Sequence, residues 1–161
     1  MVKSRASARK SPRNKAATDA IDLLKADHRQ VSEWFDAYEG TRSESRKAKL
    51  AEQICSALKV HMQIEEEILY PAFIEATEDK DMHHEAIVEH DGAKKLIARI
   101  DASSPKDDYF DAQVKVLSEM IKHHVKEEEQ PGGMFAEARK SDMDLVALGQ
   151  QMAARKKELR G

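Results

Sequence analysis

The chain has 161 residues, a net charge of −3 and one cysteine, and 35% of its residues are charged. This length is enough for one domain with a buried core, and few aromatic residues, four prolines and six glycines favour an almost entirely helical protein. The sequence excludes an internal disulfide and a membrane-spanning helix, because it has a single cysteine and no run of about 18 apolar residues. We expect a cytoplasmic protein, with Cys55 as a small buried hydrophobe.

The first 17 residues form a basic tail. They hold six of the 27 basic residues and no acidic residue, which leaves 21 basic against 30 acidic residues in the rest of the chain. We expect an acidic body of this kind to bind no nucleic acid and no membrane. The tail itself is either a solvated arm or a weak anchor on acidic partners. We interpret residues 1–17 as disordered, and the absence of an apolar h-region indicates that they are not a secretory signal.

Two helices are predicted in the first half of the chain. The first begins near Thr18 and Asp19, which offer an N-cap and a first-turn acid, and ends at Gly40. The second follows the polar stretch 41–45 and should kink or end at Pro71, which lacks an amide donor. Residues spaced by three and four form the buried stripe of each helix, and both stripes contain polar members. The stripes are Ile21, Leu24, His28, Val31, Phe35 and Tyr38, and Leu50, Ile54, Leu58, His61, Glu65, Ile68 and Leu69.

Two further helices and a C-terminal segment follow. The third is predicted from about Asp81 to Ile100, with His90 on its inner face. The fourth has a start signal at Ser104, which is placed to cap, and Pro105, which suits the first helical position. Residues 131–133 end it, and an extra amphipathic segment beyond Ser141 is expected to pack on the bundle. The predicted fold is therefore an all-α, antiparallel up-down-up-down four-helix bundle over residues 18–135, with a C-terminal helical extension over residues 136–161.

Each of the four predicted helices carries one histidine on its buried stripe, and two of them add a glutamate one turn later. A buried imidazole or carboxylate costs several kcal/mol, roughly, unless it is paired or binds a metal. Short connections should bring the four stripes together in one interior. The candidate metal ligands are His28, His61, Glu65, His90, His124 and Glu128.

The type of ligand limits the metal. Imidazole and carboxylate suit iron, manganese or zinc, and the lack of thiolates argues against a structural zinc site. Two carboxylates on facing helices are suited to bridging two ions, so we favour a di-metal centre, with iron preferred. The alternative is an unmetallated polar core, in which each histidine is a satisfied core residue.

The remaining histidines and acids are predicted to lie off the centre. His83 is seven residues before His90, roughly 10 Å along the axis and too far to share an ion. His84 and His123 point off the stripe. Most of the extra acids are expected to form a solvated charge run, although one could orient a ligand histidine. These acids are Glu66, Glu67, Glu89, Glu127 and Glu129.

Four spaced motifs give a resemblance to a known family: Asp27-His28, His61-x-x-x-Glu65, Glu89-His90 and His124-x-x-x-Glu128. Over roughly residues 19–135 the sequence resembles the hemerythrin family, in its bacterial HHE cation-binding branch. The resemblance implies a four-helix bundle around an oxo- or hydroxo-bridged, non-haem di-iron centre that meets dioxygen, peroxide or nitric oxide, with manganese or zinc as possible substitutes. We expect a monomer or a homodimer.

The resemblance also points to a difference. Oxygen-carrying relatives have a fifth histidine, four residues before the equivalent of His90, and this sequence has Ala86 there. The loss of one ligand favours an exchangeable coordination position. From the ligand set we expect a binding or sensing protein of a stress response. The exchangeable position favours the alternative, an enzyme that decomposes hydrogen peroxide or reduces nitric oxide. Iron storage, iron donation and cluster repair rank below these, because the chain lacks E-x-x-H motifs and a cysteine-bearing N-terminal domain.

Overall fold

The structure is a computed structural model and describes residues 18–161; the predicted disordered tail, residues 1–17, lies outside the described residues. Every regular element in the described part of the chain is helical, so the predicted all-α class is confirmed. The elements are α1 (Ala20–Glu39), α2 (Glu44–Ile64), a π-helical turn (Glu65–Leu69), α3 (Tyr70–Thr77), α4 (Lys80–Asp101), α5 (Phe110–Glu129), α6 (Met134–Lys140) and α7 (Leu145–Arg160).

Four helical walls form the bundle. The first wall is α1, and the second is the continuous run of α2, the π turn and α3. The third and fourth are α4 and α5. Helix α1 packs on α2, and α4 packs on α5. Side chains cap the first turns of α1 and α2. Asp19 accepts a hydrogen bond from the Asp22 amide, and Ser43 accepts one from the Arg46 amide. These side chains satisfy amide groups that the first helical turn leaves without partners.

Two apolar clusters fill the bundle, one towards each end. The Phe35 core contains Val31, Phe35, Tyr38, Leu50, Ile54, Cys55, Leu58, Ile97, Phe110 and Leu117. The Phe73 core contains Ile21, Leu24, Ile64, Leu69, Phe73, Ala86, Met134, Phe135 and Met152. Along α1, for example, His28 lies between Leu24 of the second core and Val31 of the first. The candidate ligands therefore occupy a polar layer between two apolar ones. Cys55 is buried, as expected.

The predicted start of the fourth helix is wrong. Ser104 and Pro105 open a turn instead of a helix, since the amide of Asp107 bonds to the carbonyl of Ser104 at 2.9 Å and that of Phe110 bonds to the carbonyl of Asp107 at 3.1 Å. Helix α5 begins only at Phe110, the first apolar residue of its stripe. Ser, Pro and Asp favour a turn as much as a helix start, and the burial of Phe110 decides between the two.

The helix does not end at Pro71. The chain widens into the π-helical turn Glu65–Leu69 just before it, and Pro71 then takes the second position of α3. Proline lacks an amide donor, and the π turn before it already shifts the backbone hydrogen bonding, with the Tyr70 amide bonded to the Glu65 carbonyl. The wall therefore continues to Thr77.

The chain beyond α5 forms two helices, where one segment was predicted. Helix α6 spans residue 135, the predicted end of the bundle, and its Phe135 belongs to the Phe73 core. Helix α7 packs on α1, α2 and the π turn. At its closest approach, a Cβ atom on Gly149 would lie 2.8 Å from the backbone nitrogen of Ala20. Among the described helices, none combines the length and the apolar character needed to cross a membrane.

Candidate metal centre

The six candidate ligands converge on one buried point between the two apolar cores. His28, His61, Glu65 and Glu128 place one donor atom each within 4.8 Å of one another, and we call this set the first ligand cluster. Glu65, His90 and His124 meet the same limit, and we call them the second ligand cluster. All six side chains are at most 8% exposed.

Both glutamates bridge the two clusters. Glu65 Oε2 lies 3.4 Å from His61 Nε2, whereas its Oε1 lies 3.0 Å from His90 Nε2. Glu128 repeats the arrangement, with Oε1 3.2 Å from His28 Nε2 and Oε2 3.1 Å from His124 Nε2. Ligand atoms about 2.1 Å from a shared ion lie about 3.0 to 3.4 Å apart, so these separations are compatible with metal binding.

Each of the four histidines turns its other ring nitrogen to a carboxylate. The Nδ1–H of His28 donates to Glu129 at 2.6 Å, that of His61 to Asp27 at 2.9 Å, that of His90 to Glu66 at 2.7 Å and that of His124 to Glu89 at 2.5 Å. This contact fixes the tautomer that leaves Nε2 free to bind a metal, and it makes Nε2 a stronger donor.

These contacts revise the reading of the extra acids. We expected Glu66, Glu89 and Glu129 to belong mostly to a solvated charge run, from which one could orient a histidine. All three orient one. Asp27 is the fourth. Their spacing offered a signal, because each precedes or follows a ligand by one residue on its helix. Glu67 behaves differently, since it points outward and pairs with Arg155 at 2.8 Å.

Charges in the centre shift the pKa values of its members. Burial lowers the pKa of His61, but the carboxylates of Glu65 and Asp27 outweigh that effect and raise it to about 10. Burial likewise opposes protonation of His124, and Glu128, Glu65 and Glu89 raise its pKa well above the usual range. Burial favours the neutral form of Glu65, yet His61, His124 and His90 hold its pKa well below its ordinary value. Without metal, protons on imidazoles balance the buried carboxylates.

Several nitrogen and oxygen atoms that could bind a metal in this network have no hydrogen-bond partner. The described part of the chain has six buried side-chain polar atoms in that condition, and four belong to the first ligand cluster. They are His28 Nε2, His61 Nε2, Glu65 Oε2 and Glu128 Oε1. The great majority of buried polar atoms in proteins have a hydrogen-bond partner. Four buried ligand atoms that lack one and face the same point therefore suit a metal ion. The residues present therefore suit the group that the motifs imply.

Sequence reasoning missed Tyr70. Its hydroxyl lies 3.1 Å from Glu65 Oε1, 3.2 Å from His90 Nε2 and 3.3 Å from Glu128 Oε2, at the second ligand cluster. Burial and the two glutamates raise the pKa of Tyr70 well above its ordinary value. Five residues after Glu65, it would leave the ligand face of an α-helix. The π turn, in which the Tyr70 amide bonds to the Glu65 carbonyl, returns it to that face.

The other three histidines stay out of both ligand clusters. The ring of His83 meets the Tyr70 ring edge-on with 5.6 Å between centroids, and His84 lies beside His83. His123 is 65% exposed and contacts Glu89 at 3.3 Å. With Glu89 and Glu127 it forms another group whose nitrogen and oxygen atoms lie within 4.8 Å of one another, nearer the surface.

A small apolar cavity adjoins the four ligand histidines. Side chains without polar groups form much of its wall, and these belong mainly to the Phe35 core and to α5. The apolar lining residues are Val31, Leu58, Met62, Ala93, Met120, Ile121 and Val125. Such a cavity suits a small, uncharged molecule better than a charged substrate.

Known proteins resemble this chain in sequence and in fold. The sequence-family model of the hemerythrin HHE cation binding domain matches residues 19–131. The crystal structure of a hemerythrin HHE cation binding domain-containing protein from Mycobacterium kansasii, a Rv2633c homolog, is similar with a TM-score of 0.72 at 25% identity, over 89% of this chain and 88% of that one. A DNA nickase from Nostoc sp. is 29% identical over 108 residues, 67% of this chain, which spans only 30% of that protein's length.

Proposed function

Because this chain belongs to the hemerythrin HHE cation-binding domain family, we propose that it holds two iron ions in its interior and binds or senses dioxygen, peroxide or nitric oxide in a cytoplasmic stress response. The observation that carries the proposal is the set of four buried, unpaired donor atoms facing one point. Imidazole nitrogen with carboxylate oxygen is a donor set that suits iron, and manganese or zinc would fit the same set.

Each residue has a defined part in this proposal. His28 and His61 would hold one ion, His90 and His124 the other, and Glu65 and Glu128 would bridge them. The hydroxyl of Tyr70 stands among the donors of the second cluster and would lose its proton to bind there. Bound iron would supply reversible electron-transfer chemistry towards dioxygen, peroxide or nitric oxide.

The surroundings of the site support a small ligand. The first ligand cluster offers four side-chain donors, fewer than the six that iron commonly takes, which leaves room for an exogenous ligand. The adjoining cavity is apolar and close to all four histidines, so it admits a diatomic gas or peroxide and disfavours ions. The same features favour the second candidate, an enzyme that decomposes hydrogen peroxide or reduces nitric oxide.

The nicking activity named for the Nostoc protein is not extended to this chain. This chain spans 30% of that protein, and outside residues 1–17 it is acidic, with 30 acidic against 21 basic residues. A surface of that sign repels the phosphate backbone. Iron storage and donation rank lower too, because ferritin-like sites use E-x-x-H motifs that this sequence lacks.

Metal analysis of adjacent histidine variants tests the proposal. We expect two iron ions per chain in the wild type, about one in His124→Ala, and two in His123→Ala, since His124 faces the centre and His123 is 65% exposed. Iron at a hundredfold excess over Kd should stabilise the wild type by about 2.7 kcal/mol. Protein that takes up no iron and shows no charge-transfer absorption after reconstitution would refute the proposal.

Peroxide consumption separates the sensor from the enzyme. An enzyme consumes hydrogen peroxide faster than the same amount of free iron, and loses this rate in His124→Ala but not in His123→Ala. A sensor changes its absorption spectrum once, without turnover. A rate equal to that of free iron in all three proteins excludes peroxide decomposition as the function.

A further inference from the structure

Lys156 lies outside residues 19–131, the part of the chain that the family model matches, yet it reaches the surroundings of the metal centre. Its Nζ donates a hydrogen bond to Asp27 Oδ1. The other oxygen of Asp27 accepts the Nδ1–H of His61 at 2.9 Å. A chain of ammonium, carboxylate and imidazole therefore joins α7 to the first ligand cluster.

Helix α7 is held against this side of the bundle at two further points. Arg155 contacts both carboxylate oxygens of Glu67, at 2.8 and 3.3 Å, in the π turn that also carries Glu65. Gly149 allows the helix to approach the backbone at Asp19 and Ala20. The position of Lys156 is therefore fixed by packing as well as by its own ion pair.

We propose that Lys156 is a positioning residue for the metal ion of the first ligand cluster, which it serves by holding Asp27 against His61; this inference rests on the proposed function. The Asp27 side chain is 15% exposed, so without a cation its charge favours rotation towards water. The imidazole of His61 would then lose the acceptor that fixes its ring. Loss of such an orienting contact typically lowers metal affinity about 10- to 100-fold.

The second ligand cluster offers an internal comparison. Lys94 donates to Glu66 Oε1 at 2.8 Å, and Glu66 Oε2 accepts the Nδ1–H of His90 at 2.7 Å. Lys94 belongs to α4, inside the bundle, whereas Lys156 belongs to α7. Through these two lysines, the first metal ion would depend on α7 and the second on α4.

Iron titration of lysine variants in a single-site background tests the inference. In full-length His124→Ala protein, where the first cluster alone should bind iron(II), we expect Lys156→Met to weaken binding about tenfold. Lys157→Met, at an exposed position of α7, should leave it unchanged. Binding is measured without oxygen against a competing chelator, and circular dichroism verifies folding. Lys156→Arg should restore affinity by keeping the charge, and Lys156→Gln replaces the methionine variant if that one unfolds.

A double-mutant cycle shows whether the effect passes through Asp27. Adding Lys156→Met to Asp27→Asn should cause no further loss of affinity, because the carboxylate it pairs with is already gone. Lys156 variants that bind iron like the Lys157 variant, or losses that add to those of Asp27→Asn, overturn the inference while the proposed function stands. A wild type that binds no iron overturns both.

Discussion

Each histidine of the centre uses its two ring nitrogens for different purposes. Nδ1 donates to a carboxylate at 2.5 to 2.9 Å, and Nε2 faces the interior. The carboxylates that accept these bonds are more exposed than the bridging pair; Glu129, for example, is 33% exposed and Glu128 only 2%. The carboxylates that orient the histidines therefore keep some contact with water, which reduces the cost of their desolvation. The bridging carboxylates lack that contact, and only protons or metal ions can balance their charge.

At the residue scale, Tyr70→Phe removes the one hydroxyl placed among the donors of the second ligand cluster. We expect the variant to keep two iron ions and to lose visible charge-transfer absorption, because a phenolate is a strongly absorbing iron ligand. The metal-free variant should lose about 1 kcal/mol of stability with the lost hydrogen bonds. Tyr109→Phe, at a side chain that is 72% exposed, is the control. An unchanged spectrum in the Tyr70 variant contradicts phenolate binding.

At the element scale, the π turn and helix α7 add contacts to the site that the four regular helices do not supply. The π turn puts Glu65 and Tyr70 on one face although five residues separate them. Helix α7 covers α1 and the π turn and brings Lys156 to Asp27. Its fit on α1 depends on a glycine, because a side chain at residue 149 would meet backbone atoms.

Gly149→Ala is therefore expected to destabilise the protein. The new Cβ atom would lie 2.8 Å from backbone atoms of Asp19 and Ala20, and overpacking of this kind costs about 1 to 3 kcal/mol. Gly92→Ala is the matched control, since its Cβ would meet only the end of the Met120 side chain, at 3.1 Å. A gain in helix propensity of about 1 kcal/mol should offset that contact. Thermal unfolding measures both, and equal melting temperatures for the two variants would contradict tight packing of α7.

At the scale of the whole molecule, the fold places a charged layer between two apolar cores, and this layer makes stability depend on pH. The pKa of His61 is raised to about 10 in the folded, metal-free protein, against about 6.5 for an unfolded histidine. Between about pH 6.5 and 10, His61 keeps its proton in the folded protein and loses it in the unfolded protein. The stabilisation is complete below about pH 6.5 and is lost as the pH rises through about 10. The lowered pKa of Glu65 acts oppositely, and its stabilisation is lost in acid.

We therefore expect the free energy of unfolding of metal-free protein to fall from about pH 6.5 to 10, by at most about 1.4 kcal/mol per pH unit for each such proton. Urea denaturation across this range measures it. Iron-loaded protein should lack the decline, because metal replaces the protons. His61→Gln should reduce the slope and His123→Ala should keep it. A flat or rising profile in the metal-free wild type contradicts a protonated His61.

Periodicity alone was enough for the bundle and for the six converging residues. A buried stripe accepts a histidine or a glutamate only at a high cost in free energy, so polar members such as His61 and Glu65 indicate a shared interior point from the sequence alone. The order of four such stripes also identified the family, which the match over residues 19–131 confirms. That these residues hold iron stays a prediction.

Contacts between distant segments decided the rest. Asp27 and Lys156 are 129 residues apart, and no local pattern reports that pair. Tyr70 reaches the centre only because the helix widens at the π turn. Helix α5 begins at Phe110 and not at the predicted Ser104-Pro105, because these two residues form a turn and Phe110 is buried. Sequence patterns record which face of a helix is buried, whereas the partner across the interface depends on how helices pack, and that is a property of the whole chain.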